Sequence, residues 1–192
     1  MRVYHFLNEK YGLEAISRRR LKISQIEDLN DPFELLGVTL PDRRSRDAFH
    51  AMKRELAKNR GMHCFSRNWS NPVLWSHYAD KHRGLCLGFD VADKLICKVE
   101  YTADRMLNTE QLLSSSDERK NLADHLIKIK FKHWKYEDEV RVFASLDSKD
   151  PTNNLYFSEF SGDLKLSQVI LGRGPRLLDR IYLRSFLKQM PR

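Results

Sequence analysis

Residues 75–84 read Trp-Ser-His-Tyr-Ala-Asp-Lys-His-Arg-Gly and place five ring or guanidinium side chains in less than three helical turns. Packing alone gives a surface helix no reason to collect so many capable side chains. Asn71-Pro72 precedes the segment and suits a helix start, because asparagine caps backbone N–H groups and proline lacks only one that would go unbonded there. Gly84 follows, where a helix is expected to stop in a left-handed conformation. Leu85 to Val91 then alternates large apolar with small or polar residues, the period of a half-buried strand. A short ring-bearing helix feeding a strand is a common way to build a pocket wall. Trp75, Tyr78 and His82 fall at i, i+3 and i+7, one face of that helix.

The flanking pattern is mixed. Strands are expected at Val3–Phe6, Leu21–Ser24, Met62–Ser66, Cys97–Tyr101, Glu139–Leu146, Leu155–Phe160 and Gln168–Leu171. Helical spacing runs through Glu9–Arg19, Ser45–Arg60 and Pro175–Gln189. Ser115-x-x-Glu118 is a capping box for a further helix to about Lys132. Asn30-Asp31-Pro32-Phe33 is turn chemistry. Strands and helices do not strictly alternate, and no linker or repeat interrupts residues 1–192. The expectation is one α+β domain of two small mixed or antiparallel sheets with flanking helices.

At 192 residues, 41% hydrophobic and 10% aromatic, the chain has the composition of a folded globular protein. A net charge of +8 suits an anionic partner: a nucleotide, a nucleic acid or an acidic protein. Cys64, Cys86 and Cys97 are odd in number and lack C-x-x-C spacing, which argues for a reducing compartment. With no 20-residue apolar run and no signal-like segment, the expected setting is cytoplasmic, away from membranes.

Several chemistries can be weighed. His63, Cys64, His77, His82, Cys86, His125 and His133 are numerous, but His77 and His82 fall on different sides of a helix. The pairs that zinc sites use are lacking, and no metal is expected. Gly172-Arg173-Gly174-Pro175 could offer N–H groups to a phosphate, although a turn before a helix accounts for it better. The sole E-x-K, Glu118-Arg119-Lys120, opens a helix and makes a poor nuclease signature. Glu137-Asp138-Glu139, flanked by aromatics and Arg141, is the stronger signal. Residues two apart on a strand share a face, so Glu137 and Glu139 are expected to point together. Paired carboxylates can stabilise a developing cation, accept a proton or hold a ribose hydroxyl. The competing reading is a solvated, arginine-paired strand start.

Tyr4-His5-Phe6, Leu29-Asn30-Asp31-Pro32-Phe33-Glu34, Cys64-Phe65-Ser66, Leu74-Trp75-Ser76-His77-Tyr78-Ala79, His82-Arg83-Gly84, Trp134-x-Tyr136-Glu137-x-Glu139-x-Arg141 and Ile170-Leu171-Gly172 follow one another along the chain. In this order they resemble an uncharacterised bacterial family, domain of unknown function 2971, met near abortive-infection and phage-defence genes. More distantly, the layout resembles that of ADP-ribosyltransferases: a first strand with His or Arg, a middle element with Tyr or Ser, and a strand entered by E-x-E. That resemblance implies NAD as substrate, and glycosyl transfer to a protein or nucleic acid in a defence or toxin system that includes a partner protein. It implies Glu139, Glu137 and His5 as catalytic. It implies Tyr4, His5, Ser66, Trp75, His77, Tyr78 and Arg83 as NAD-binding, with either Ser66 or Tyr78 in the middle position and Arg2 competing with His5 for the first. The alternative is a basic nucleic-acid-binding or sensor module without catalysis, suggested by the Lys and Arg excess and the segment Arg43–Arg60.

Overall fold

The computed structural model describes residues 1–26, 29, 40–104 and 115–173. The turn at Asn30–Phe33, most of the Leu29–Glu34 block and the helix expected over Pro175–Gln189 lie outside them. The fold is α+β. Its chain divides into two compact units, one of Met1–Leu21, Phe65–Ala92 and Glu159–Arg192, the other of Lys22–Cys64 and Asp93–Ser158.

In the first unit, β1 (Arg2–Leu7), β5 (Leu85–Val91) and β11 (Leu164–Leu171) form antiparallel neighbours in the order β11-β5-β1. Alternation and register sort their side chains. Tyr4 stands opposite Gly88 and Ser66, and Gly88 stands opposite Gln168, so Ser66, Tyr4, Gly88 and Gln168 form one cross-strand row. His5, opposite Leu87, belongs to the other face. There its ring meets Phe65 edge-on at 5.7 Å, Phe65 meets Phe89 at 5.8 Å, and Phe89 meets Phe160 at 5.2 Å. The central strand β5 is buried along almost its whole length. Arg2 pairs with Asp90 across the strands. A bulge between Leu166 and Gln168 turns the Ser167 hydroxyl onto the same carboxylate. The Arg2 and Ser167 hydrogen bonds hold the Asp90 carboxyl down to about 2.

Helix α1 (Glu9–Arg18) starts where the Asn8 side chain accepts from the Tyr11 N–H and ends at left-handed Arg19. Helix α3 (Pro72–Tyr78) starts as its sequence predicts, with the Asn71 side chain accepting from the Val73 N–H and Pro72 in the first turn. It ends earlier than predicted. Ala79 caps it, and Asp80, Lys81 and His82 follow with φ of 45°, 53° and 70°. His82 is therefore not on the helical face of Trp75 and Tyr78. The left-handed positions are not glycine: no described glycine has positive φ. Gly84 serves close approach, since a Cβ there would stand 2.0 Å from the Leu7 carbonyl oxygen.

In the second unit, β4 (Arg60–Ser66), through its residues up to Cys64, lies beside β9 (Glu139–Ser145), and β9 pairs with β6 (Cys97–Lys98). The short β3 (Ser24–Gln25) also pairs with β4. Helix α2 (Arg43–Asn59) is N-capped by Asp42, whose side chain accepts from the Ser45 N–H. Phe49 and Met52 of α2, Leu122, Ala123 and Leu126 of α4 (Ser116–Leu126), Met62 of β4, Ile26 and Ile127 form one buried cluster. Burying a side chain of the size of Phe49 contributes about 1.5–3 kcal/mol, so this cluster is a principal stabiliser of the unit. Ser115 caps α4 as the capping box predicts, its hydroxyl accepting from the Glu118 N–H. The helix nonetheless stops at Leu126, short of Lys132. Residues Ile129–Phe131 form β8 instead, parallel to β7 (Glu100–Thr102).

The two kinds of close glycine differ in what can yield. A Cβ on Gly12 would meet the flexible end of Leu85 at 2.3 Å, whereas at Gly84 it meets backbone. Overpacking costs about 1–3 kcal/mol, so Gly84→Ala is expected near the upper end and Gly12→Ala near the lower. Thermal unfolding should show a Tm loss of roughly 6–12 °C for Gly84→Ala, with Gly12→Ala clearly milder.

Candidate functional site

Two adjoining stretches of the second unit meet around four charges. Lys130 sits on β8, Glu137 ends a 3-10 turn (Lys132–Glu137), and Glu139 and Arg141 open β9. The Lys130 Nζ donates to Glu137 Oε2 at 2.6 Å and to Glu139 Oε2 at 3.0 Å. Arg141 Nε donates to Glu139 Oε1 at 2.8 Å, its Nη2 reaches Glu139 Oε2 at 3.3 Å, and its Nη1 donates to the Ile127 carbonyl at 2.7 Å. All four side chains are 7% exposed or less, and Arg141 is fully buried.

The pairing of Glu137 with Glu139 is as the spacing predicts, but its cause differs. Glu137 is not on the strand. Asp138 takes a left-handed conformation (φ 46°, ψ 49°) between turn and strand, and this bend lets both carboxylates reach one ammonium. The stretch is also buried, where a solvated strand start was the competing reading. Lys130 carried no signal of its own, because the sequence places it in the last turn of the helix drawn to Lys132. On the strand that forms instead, Lys130 is buried and Phe131 is 39% exposed. Register explains it, since Lys130 stands beside Tyr101 in the parallel pair, and the Tyr101 hydroxyl accepts from the Glu139 N–H at 2.8 Å. The Trp134 ring lies 5.0 Å from the Lys130 ammonium, a cation–π contact that favours the charged form.

The electrostatics follow. Burial by itself would raise the Glu139 carboxyl, but Arg141 and Lys130 together outweigh it and hold the group below its ordinary value. Burial pushes the Tyr101 hydroxyl up to about 12, so it stays protonated. Burial, helped by neighbouring Glu139, raises the Cys64 thiol well above its ordinary range, which makes it a poor nucleophile at neutral pH. The centre thus holds an ionised, oriented Glu139 beside Glu137, and no activated thiol. Such a carboxylate can accept a hydroxyl hydrogen bond or face a developing cation. Among the described residues, no group of three or more His, Cys, Asp or Glu side chains is placed to hold a metal ion.

The other candidate residues belong to the first unit. Tyr4 and Ser66 share the row described above, and a Cβ on Gly88 would stand 3.2 Å from the Tyr4 ring. His5 faces the opposite side with Phe65, so Tyr4 and His5 do not address one site on the sheet. The Ser66 hydroxyl accepts from the Asn68 N–H and donates to the Asn68 carbonyl, closing a turn. Trp75 is buried, edge-on to Phe6 at 5.4 Å, with its indole N–H donating to the Trp69 carbonyl at 2.7 Å. His77 is exposed and Tyr78 half-buried, their rings 6.0 Å apart. Arg83 is exposed and donates to the Asp80 carboxylate at 2.9 Å. The backbone N–H groups of Gly172 and Arg173 donate to the Gly84 and His82 carbonyls, which commits them to the turn rather than to a phosphate. No described helix is long and apolar enough to cross a membrane.

Lys130→Met should destabilise the protein by about 3–5 kcal/mol near neutral pH, because it leaves two buried carboxylates to one guanidinium. Urea unfolding would measure this. Glu139 has a depressed folded-state pKa, so its contribution to wild-type stability is complete above its unfolded value and is lost as pH falls through the lower folded one. In the variant, protonation relieves the unpaired charge instead. The gap between the two proteins should therefore narrow from neutral pH to pH about 4.

The family model described as a protein of unknown function (DUF2971) matches residues 74–142. No curated protein and no solved structure matches the chain. The matched stretch takes in most of α3, the left-handed turn, β5 and the whole Lys130–Arg141 network, while Tyr4, His5 and Ser66 lie outside it. Over residues 74–142 the chain is thus similar to an uncharacterised domain of unknown function.

Proposed function

We propose that the protein is an ADP-ribosyltransferase-like enzyme that takes NAD as substrate and modifies a macromolecule, protein or nucleic acid, in a bacterial defence or toxin setting. The observation that carries the reading is the pair Glu137 and Glu139, gathered on one ammonium at the entry of a strand, with Glu139 held ionised. Breaking the bond between nicotinamide and ribose sends the bonding electrons out with nicotinamide and leaves oxocarbenium-like charge on the ribose. A target nucleophile then bonds to that carbon and gives up its proton. A carboxylate hydrogen-bonded to a ribose hydroxyl stabilises this charge more in the transition state than in the ground state. Arg141 and Lys130 support the role by fixing the orientation of Glu139, so little reorganisation is needed as charge develops. The roles of His5 toward the adenosine ribose, Tyr78 as a stacking surface and Arg83 toward the pyrophosphate rest on the family layout alone. For Arg83, exchanging the exposed Asp80 pair for a phosphate would cost little.

Labelled NAD incubated with the protein and cell lysate should release nicotinamide and label a macromolecule. Glu139→Gln should slow release by roughly 100- to 1,000-fold, the usual effect of losing one oriented electrostatic contact. Glu139→Asp keeps the charge but withdraws it by one methylene, so a matching loss in a variant that still unfolds cooperatively separates chemistry from folding. If the wild type releases no nicotinamide and NAD gives no heat in calorimetry, the enzymatic reading fails.

A further inference from the structure

Helix α2 spends its two sides differently. Ser45, Phe49 and Met52 are buried, while Arg43, Arg44, Arg46, His50, Arg54 and Lys58 are exposed. At 100° per residue, Arg43, Arg46, His50 and Arg54 fall within one quarter of the helix circumference, with Lys58 about 40° and Arg44 about 80° beyond its edge. Lysine and arginine alone, Arg43, Arg44, Arg46, half-buried Lys53, Arg54 and Lys58, give the helix six cations against Asp47 and Glu55, a net of four within a chain whose net charge is +8. Those carboxylates neutralise little. Asp47 stands 3.8 Å from Arg43 and Glu55 stands 3.1 Å from Lys58, each pair exposed by two thirds or more, and such pairs are weak and screened.

We infer that this face of α2 is a docking surface for the phosphate backbone of a duplex nucleic acid, independent of the NAD reading. The cations extend over about 22 Å of helix, long enough to follow successive phosphates. The exposed residues include no Phe, Tyr or Trp, so the face lacks the rings on which single-stranded bases stack. Its apolar side is already committed to the core with Leu122 and Leu126, which leaves no apolar stripe to enter a bilayer, as a membrane-surface helix requires. Backbone contacts of this kind position a protein without reading sequence.

The test is fluorescence anisotropy of the full chain with a labelled 20-base-pair duplex at 50–200 mM salt. About four phosphate contacts predict a log–log slope near −3.6, hence roughly 100-fold weaker binding across that range. The triple variant R43Q, R46Q, R54Q should lower the slope by about 3, with an unchanged thermal unfolding curve because all three side chains are exposed. The control triple variant K94Q, K98Q, K165Q, also exposed, should bind as tightly as wild type to within about twofold. The proposal is overturned by no binding at 50 mM salt, or by equal losses in both triple variants. Tighter binding to a single strand of the same length, or equal affinity for anionic lipid vesicles, also overturns it.

Discussion

Four buried charges share one site in the second compact unit, and much of that unit's chain path is arranged around them. Taking an ion out of water costs several kcal/mol, and the loss is recovered only when geometry is good and the remaining donors and acceptors are met. Here two acids and two bases sum to zero, and each cation reaches more than one acceptor. Arg141 also holds the Ile127 carbonyl just past α4, while Tyr101 holds the backbone of Glu139. Lys130 is thereby drawn inward at a position where its apolar neighbours would normally point, and α4 stops in time for β8 to form. The same network keeps Glu139 charged, the state that stabilisation of a cationic transition state requires.

The first unit rests on a different constraint, the close approach of backbone to backbone. Gly84 stands where a side chain would strike the Leu7 carbonyl, and Gly172 where it would strike the carbonyls of His82 and Gly84. Just before Gly84, three consecutive non-glycine residues, Asp80, Lys81 and His82, hold left-handed conformations, each costing about 1–2 kcal/mol. The turn persists because it is tied at both ends: His82 and Gly84 donate to the Trp75 and Ala79 carbonyls, and Arg173 donates to the His82 carbonyl. Its exposed Asp80, Lys81, His82 and Arg83 are displayed by a rigid frame. Strain of this kind tends to collect at functional sites, and the turn falls inside the stretch matched by the family of unknown function.

How much was legible depended on whether the signal was local. Asn71-Pro72 and Ser115-x-x-Glu118 act through the nearest few residues, and each appears where the sequence places it; the strand at Leu85–Val91 also forms, though buried on both faces rather than on one. The end of α3 did not, because Gly84 suggests a left-handed stop, while the demand on that residue comes from Leu7, distant in sequence. The helix drawn through Lys132 failed for a similar reason: Lys130 answers to Glu137 and Glu139, not to its own helical period. The resemblance in layout assigns Tyr4 and His5 to one NAD site, yet adjacency on a strand sends them to opposite faces. Trp75, in the most telling stretch of the chain, is a core residue whose indole is satisfied by the Trp69 carbonyl.

The sequence by itself determined the α+β class, the start of α3, the strand that follows it and the basic exposed side of α2, and it marked Glu137 and Glu139 as a pair without the bend at Asp138 that joins them. Periodicity, capping and charge are properties of short segments, and they survive whatever the segments pack against. The tertiary structure alone decided that those carboxylates are buried, that Lys130 joins them, that Tyr101 anchors the strand they open, and that residues other than glycine make the left-handed turn. Each of these outcomes depends on which distant groups become neighbours once water is excluded, and only the folded chain brings those groups together.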